Sequence, residues 1–360
     1  MSRRPSAAGA HLWLIVLALG SASARAQAPG AGGARSDSAD ALMRSALSSA
    51  LQAQGAEALA ALRALDSTRL SERYRPTRSC MLERLGARQP PRSTVSDPAV
   101  AAVLDTYREY WLRSLLAEHP VTANERWLLD SLNRIVSRHG SRAAADLDDL
   151  EPALTTLIEP RGYHVLLGVT SPLRELMLWK AEQEVHYDVA LPEGKQPVTV
   201  VFMDDFASLG WAGFATCDRH HTGGWTKPDR LFAVRSAYDL GSEDFRVSYL
   251  AHEAQHFADN HRFPRLERQD QLEYRAKLVE LAEADTTTYS LLESFASNAS
   301  RDPSVPHSYA NGRVVHDLSR RLFHGGAAPA WREASVARIN AAAAELLRRD
   351  TARLTQAGGR

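Results

Sequence analysis

Two histidines four residues apart, with a glutamate directly after the first, are the side chains in this sequence best spaced for chemistry: His252-Glu253-Ala254-Gln255-His256. On an α-helix, positions i and i+4 lie one above the other on one face. Both imidazoles can then bind one metal ion, each through a ring nitrogen at about 2.0–2.1 Å. Glu253 stands beside that ion and can take a proton from a water activated there. The flanks support a helix, because Val247, Leu250, Ala251, Ala254, Phe257 and Ala258 recur at helical spacing. Ser242 is its expected N-cap, with Glu243 and Asp244 in the first turn. The plainer alternative is a helix with two satisfied core histidines and a surface glutamate.

The motif resembles that of the zincin metallopeptidases. The resemblance implies Zn2+ as the metal, His252 and His256 as ligands and Glu253 as general base. Metzincins place a glycine and a third histidine just after the motif. The continuation Phe257-Ala258-Asp259-Asn260-His261 does not fit that pattern, which leaves a gluzincin-like arrangement. There a glutamate on a following helix closes the site. Residues 270–283 read as that helix, from strong helix formers and an apolar face. Glu273, Glu280 and Glu283 compete for the role. Glu273, 17 positions after His256, lies nearest the gluzincin spacing and is the expected third ligand, with Glu280 as the alternative. Thermolysin-like enzymes carry an aspartate four residues past the ligand glutamate to orient a histidine. Lys277 occupies that position here, so the orienting group must come from elsewhere and the chain is not a close thermolysin relative. The resemblance also implies a downstream residue sharing the oxyanion's charge: His316 first, then Tyr309 and Tyr289. It implies further an edge strand that holds an extended peptide by backbone hydrogen bonds. The run Trp211-Ala212-Gly213-Phe214-Ala215-Thr216 is the candidate edge. His220 and His221 read as a polar loop, since adjacent histidines lack the spacing of a helical metal pair.

The elements that must position these residues give an α+β fold, mostly α. A small sheet, the HExxH helix and a Glu-bearing helix form a zincin-like domain over 149–360, after a helical region over 38–148. Residues 198–203 read as a buried strand and 231–238 as another, 173–185 as a helix, and Pro90-Pro91 as a break between helices. Residues 1–28 read as a secretory signal, with Arg3 and Arg4, an apolar core from Leu12 to Leu19 and an Ala26-Gln27-Ala28 cleavage site. Residues 29–37 read as a disordered lead-in. The expected location is therefore the periplasm or the medium. Forty-three basic residues balance 43 acidic ones, so nothing draws the chain to nucleic acid or an anionic membrane, and no later apolar run reaches membrane length. Cys80 and Cys217 either pair, tying the N-terminal region to the catalytic half, or stay as buried thiols. The expected function is metal-assisted hydrolysis of peptide bonds in a peptide or protein substrate. The rivals are a non-catalytic zinc-binding module of the same fold, and a zincin acting on a non-peptide substrate such as a cell-wall component.

Overall fold

The computed structural model describes residues 13–17, 33–303, 305–323 and 330–358. The fold is α+β and mostly helical, with two small sheets. Most of the signal-like segment lies outside the described residues; within it, Trp13–Leu17 is a strand. A helix, Gly33–Leu51, begins inside the stretch expected to be a disordered lead-in. Ala34 and Arg35 are strong helix formers, so the Ala/Leu-rich run downstream can extend back through them.

The chain gathers into two compact units. The first takes the described residues up to Glu182 together with Met203–Gly223. Its helices include Arg75–Gly86, Pro98–Leu115, Val121–Arg138 and Leu147–Ile158. Asp97 caps Pro98–Leu115 by accepting from Ala99 N at 2.9 Å and Val100 N at 3.0 Å, and Pro98 presets the first turn. Residues expected to be helical from 173 onward are instead strands. Leu173–Trp179 pairs antiparallel with His164–Thr170, His164 opposite Trp179 and Thr170 opposite Leu173. Six of the seven residues of Leu173–Trp179 are buried. A strand covered on both faces is apolar throughout and loses the alternation that would have marked it.

The candidate edge strand is also corrected. Gly210–Thr216 is a short helix with every residue buried. Phe214 meets Trp111 at 5.6 Å between ring centroids, so this segment packs back on the N-terminal helices. That return carries Cys217 to Cys80, and the two form a disulfide inside the first unit rather than a tie to the HExxH half. Closing a loop of 137 residues is worth at most about 5 kcal/mol in the chain-entropy model. Cys80→Ser with Cys217→Ser should therefore lower unfolding stability by about 2–5 kcal/mol, read by urea titration.

Glu175 is the one charged residue fully enclosed in this hairpin core. Its Oε1 accepts from Trp211 N at 3.0 Å and Leu176 N at 3.1 Å. Gly210 sits at φ +81°, and a Cβ there would lie 2.1 Å from the same oxygen, so only glycine fits. Burial raises the Glu175 pKa from 4.5 to about 7. The folded state thus holds a proton that the unfolded state has released between pH 4.5 and 7, so this residue makes stability fall as pH rises through that window. Glu175→Gln keeps an acceptor and cannot ionise. It should match the wild type near pH 4 and be more stable by about 2–3 kcal/mol at pH 8, as urea unfolding at both pH values would show.

The second unit comprises Gln183–Phe202 and Gly224–Arg360. Neighbouring strands of the larger sheet run in the order Thr222–Thr226, Leu231–Val234, Gly194–Asp204, Ala181–Leu191. Gly224 pairs with Ala233. A Cβ on Gly224 would stand 2.3 Å from Phe232 O and 2.6 Å from the Tyr249 ring, which explains its glycine. The strand expected over 231–238 stops at Val234 and gives way to a 3-10 turn, Arg235–Ala237. Helices Gln269–Glu283, Pro306–Phe323 and Val336–Gly358 build the rest of the core, through Leu278, Val314 and Ala343 among others.

Candidate metal centre

Ser242 starts the HExxH helix as expected, its hydroxyl accepting from Phe245 N at 3.1 Å. The helix then widens. Phe245–Ala251 is π-helical, and His252–Arg262 returns to α geometry. A π segment rotates the residues after it relative to a regular helix and is often found at functional sites. Here it sits directly before His252.

His252, His256 and Glu273 converge, all buried, and are the only group of three possible metal ligands among the described residues. His252 Nε2 and His256 Nε2 are 3.0 Å apart. Glu273 Oε1 lies 3.4 Å from His256 Nε2, and Oε2 lies 3.7 Å from His252 Nε2. Bonds of about 2.0–2.1 Å at a tetrahedral centre put neighbouring ligand atoms roughly 3.3 Å apart, close to the His252–His256 and His256–Oε1 separations, with the carboxylate's other oxygen a little farther from His252.

The hydrogen bonding of His252 points the same way. His252 Nδ1 is 2.7 Å from Glu280 Oε1. Donation to that carboxylate puts the proton on Nδ1 and leaves a lone pair on Nε2, facing the second ring. Neither Glu273 oxygen has a well-aligned hydrogen bond although both are buried. A buried carboxylate needs positive charge beside it, and the imidazoles of His256 and His307 or a cation between these groups can supply it. The donor set, two imidazole nitrogens and one carboxylate, is one that zinc accepts.

Glu280 is thus no rival ligand in this geometry. It orients His252, the role for which Lys277 is unsuited, while Lys277 Nζ sits over the Phe295 ring at 4.8 Å. Glu273 and Glu280 are seven apart on Gln269–Glu283 and share a face, so one helix supplies both.

Two further residues escape the sequence reading. Thr226, at the end of Thr222–Thr226, donates its hydroxyl to Glu253 Oε2. His307, in the first turn of Pro306–Phe323, brings Nδ1 to 2.7 Å from Glu273 Oε2 while its side chain remains 39% exposed. Burial alone would raise the Glu273 pKa, but the His307 and His256 imidazoles outweigh it and hold the carboxyl well below the usual range. Pro306 marks the start of this helix, since proline favours the first position, but it does not mark His307 as a partner of Glu273.

The other candidates stand apart from the triad. His316 is 63% exposed and pairs with Asp317 Oδ1 at 3.0 Å. It lies nine residues beyond His307, two and a half turns or about 13 Å along the helix and on its opposite side. Tyr309 is two residues from His307 and so also turned away from it. The Tyr289 hydroxyl donates to Ala334 O at 3.0 Å. His220 and His221 belong to the first unit, where His220 N donates to Thr216 Oγ1 and His221 Nδ1 meets Thr222 O, each at 3.0 Å.

A buried ion network fixes the two metal-site helices against each other. Arg275 grips Asp259 with a fork, Nε to Oδ2 and Nη2 to Oδ1, both at 2.8 Å. Its Nη1 reaches Asp350 Oδ2 at 3.2 Å. Gln255 Nε2 also donates to Asp259, and Gln271 Nε2 to Asp350.

No family model matches the chain, and neither a curated protein nor a solved structure matches it.

Proposed function

We propose that this protein is a zinc-dependent peptidase that works after export. The observation that carries the reading is the spacing of His252 Nε2, His256 Nε2 and Glu273, near the edges of a tetrahedron, with the Glu253 carboxylate on the same helix. Zinc, when bound by these three residues, supplies a water of lowered pKa and polarises a substrate carbonyl. Glu253 takes the proton from the attacking water and passes it to the leaving amine. Thr226 holds one oxygen of Glu253 and leaves the other free for the proton. Glu280 keeps His252 in the ligating tautomer. His307, the partly exposed group at the triad, takes the part expected of His316 and Tyr309: with Nδ1 held on Glu273 Oε2, its Nε2 is the donor to the tetrahedral oxyanion. The Cys80–Cys217 disulfide supports an oxidising compartment, the periplasm or the medium. Among the described residues no helix is long and apolar enough to cross a membrane.

The test is elemental analysis of the purified chain beside His256→Ala, with hydrolysis of an unfolded protein measured before and after chelation. About one zinc per chain, lost in the variant, together with chelator-sensitive hydrolysis is expected. No metal after zinc is supplied would sink the reading. Bound zinc with no hydrolysis of any unfolded protein would leave the binding module in front.

A further inference from the structure

The first unit has a small cavity of about 90 Å³. Arg84 reaches it from Arg75–Gly86, and Arg108 and Trp111 from Pro98–Leu115; Phe206, Phe214 and Asp218 close it. Both guanidiniums are half-buried. Arg84 Nη1 donates to Phe214 O at 2.7 Å, and Arg108 Nη1 donates to Pro91 O at 3.1 Å. A guanidinium carries five N–H donors, so each has several left. Among the described residues no carboxylate forms an ion pair with either, taking 4.0 Å as the limit. Burial holds both arginines below their ordinary pKa; Asp218 and Glu83 offset part of this at Arg84, and at Arg108 Asp105 and Asp218 oppose burial and the Arg84 charge. Each guanidinium thus gives one donor to a backbone carbonyl and keeps others for a ligand in the cavity, where two half-buried cations face a single lining carboxylate, Asp218.

The surroundings narrow the ligand. Asp218 leaves the lining with a net charge of one positive unit, which matches a carboxylate better than a phosphate dianion. A cavity of about 90 Å³ has room for a carboxylate and a small group beyond it. The walls are aromatic, with the Arg84 guanidinium 5.1 Å from the Phe214 ring centroid and Trp111 fully buried behind it. The site is also fixed in place. Cys80 lies one turn before Arg84, and Cys217 adjoins Asp218, so the disulfide ties the helix bearing one arginine to the segment bearing the aromatic wall.

We propose that this cavity binds the carboxylate of a small apolar acid, held between Arg84 and Arg108 against the Phe214 and Phe206 rings. The claim stands independently of the metal centre. The experiment is calorimetric titration of the full chain with N-acetylphenylalanine, its amide, phenylacetate and inorganic phosphate. Both acids should saturate one site, while the amide and phosphate should not; the tighter acid tells a peptide C-terminus from a free acid as the source. Arg108→Gln should weaken the acids by about tenfold or more, with metal content and hydrolysis unchanged, and Arg108→Lys should fall between. Equal binding of acid and amide, binding of phosphate as tight as that of the acids, no saturable binding, or full affinity in Arg108→Gln would each overturn it. The acid–amide comparison on the wild type decides the matter even if the variant folds poorly.

Discussion

Glu253→Gln is expected to reduce peptide hydrolysis by about 10²–10⁴-fold while leaving the metal content of the protein unchanged. Glutamine has nearly the same shape, and its amide oxygen can still accept from the Thr226 hydroxyl, so the buried position keeps its partner. His252, His256 and Glu273 are untouched. What disappears is the proton acceptor. If Glu253 acts only in the chemical step, kcat should fall and KM should change little. The measurement is steady-state hydrolysis of a chromogenic peptide with zinc in excess, beside elemental analysis of the same preparation. Undiminished kcat at full metal occupancy would remove Glu253 from the mechanism. Loss of metal along with activity would instead make it a structural part of the site.

How far the sequence predicted this site depended on whether the relevant geometry was local. The His252–His256 pair needs only the rise and turn of one helix, and Ser242 marks where that helix begins. Glu273 was within reach because its helix is regular. The division of labour between Glu273 and Glu280 was not, because both lie on one face and only the docking of that helix decides which meets His256 and which meets His252 Nδ1. Thr226 and His307 come from a distant strand and a distant helix, and nothing in their own neighbourhoods announces Glu253 or Glu273 as partners.

Two of the departures from the expected secondary structure share a cause. Leu173–Trp179 and Gly210–Thr216 are short and almost wholly buried, so neither carries the polar face that distinguishes period 2 from period 3.6. The first became a strand because an antiparallel partner, His164–Thr170, lies just before it. The second became a helix, with Trp211 N hydrogen-bonded to Glu175 and Thr216 Oγ1 to Ala212 O. The return of this segment to the first unit could not be read from Cys217 alone, since two cysteines fix at most a pairing and not which unit holds them.

The largest stability loss should come from Arg275→Ala, about 3–5 kcal/mol in urea unfolding. Arg275 is fully buried, and its removal leaves the Asp259 carboxylate with only Gln255 and the Asp350 carboxylate without its inward charge. A buried ion pair adds little against an apolar replacement of the whole group, but breaking one side strands a charge in a poorly solvating interior. Arg275→Lys should lose less, since it keeps the charge but not the two parallel donors. Arg275→Met combined with Asp259→Leu should recover part of the loss, because the main uncompensated charge goes too. Metal affinity gives the second readout. Asp259 is three residues past His256, and Arg275 two residues past Glu273, so their fork spans the two helices that carry the triad. If the fork holds those helices in register, the Met/Leu pair will regain stability without regaining zinc affinity, which depends on position to a fraction of an ångström. Recovery of both together would reduce the network to a packing element and leave the register to the surrounding apolar core.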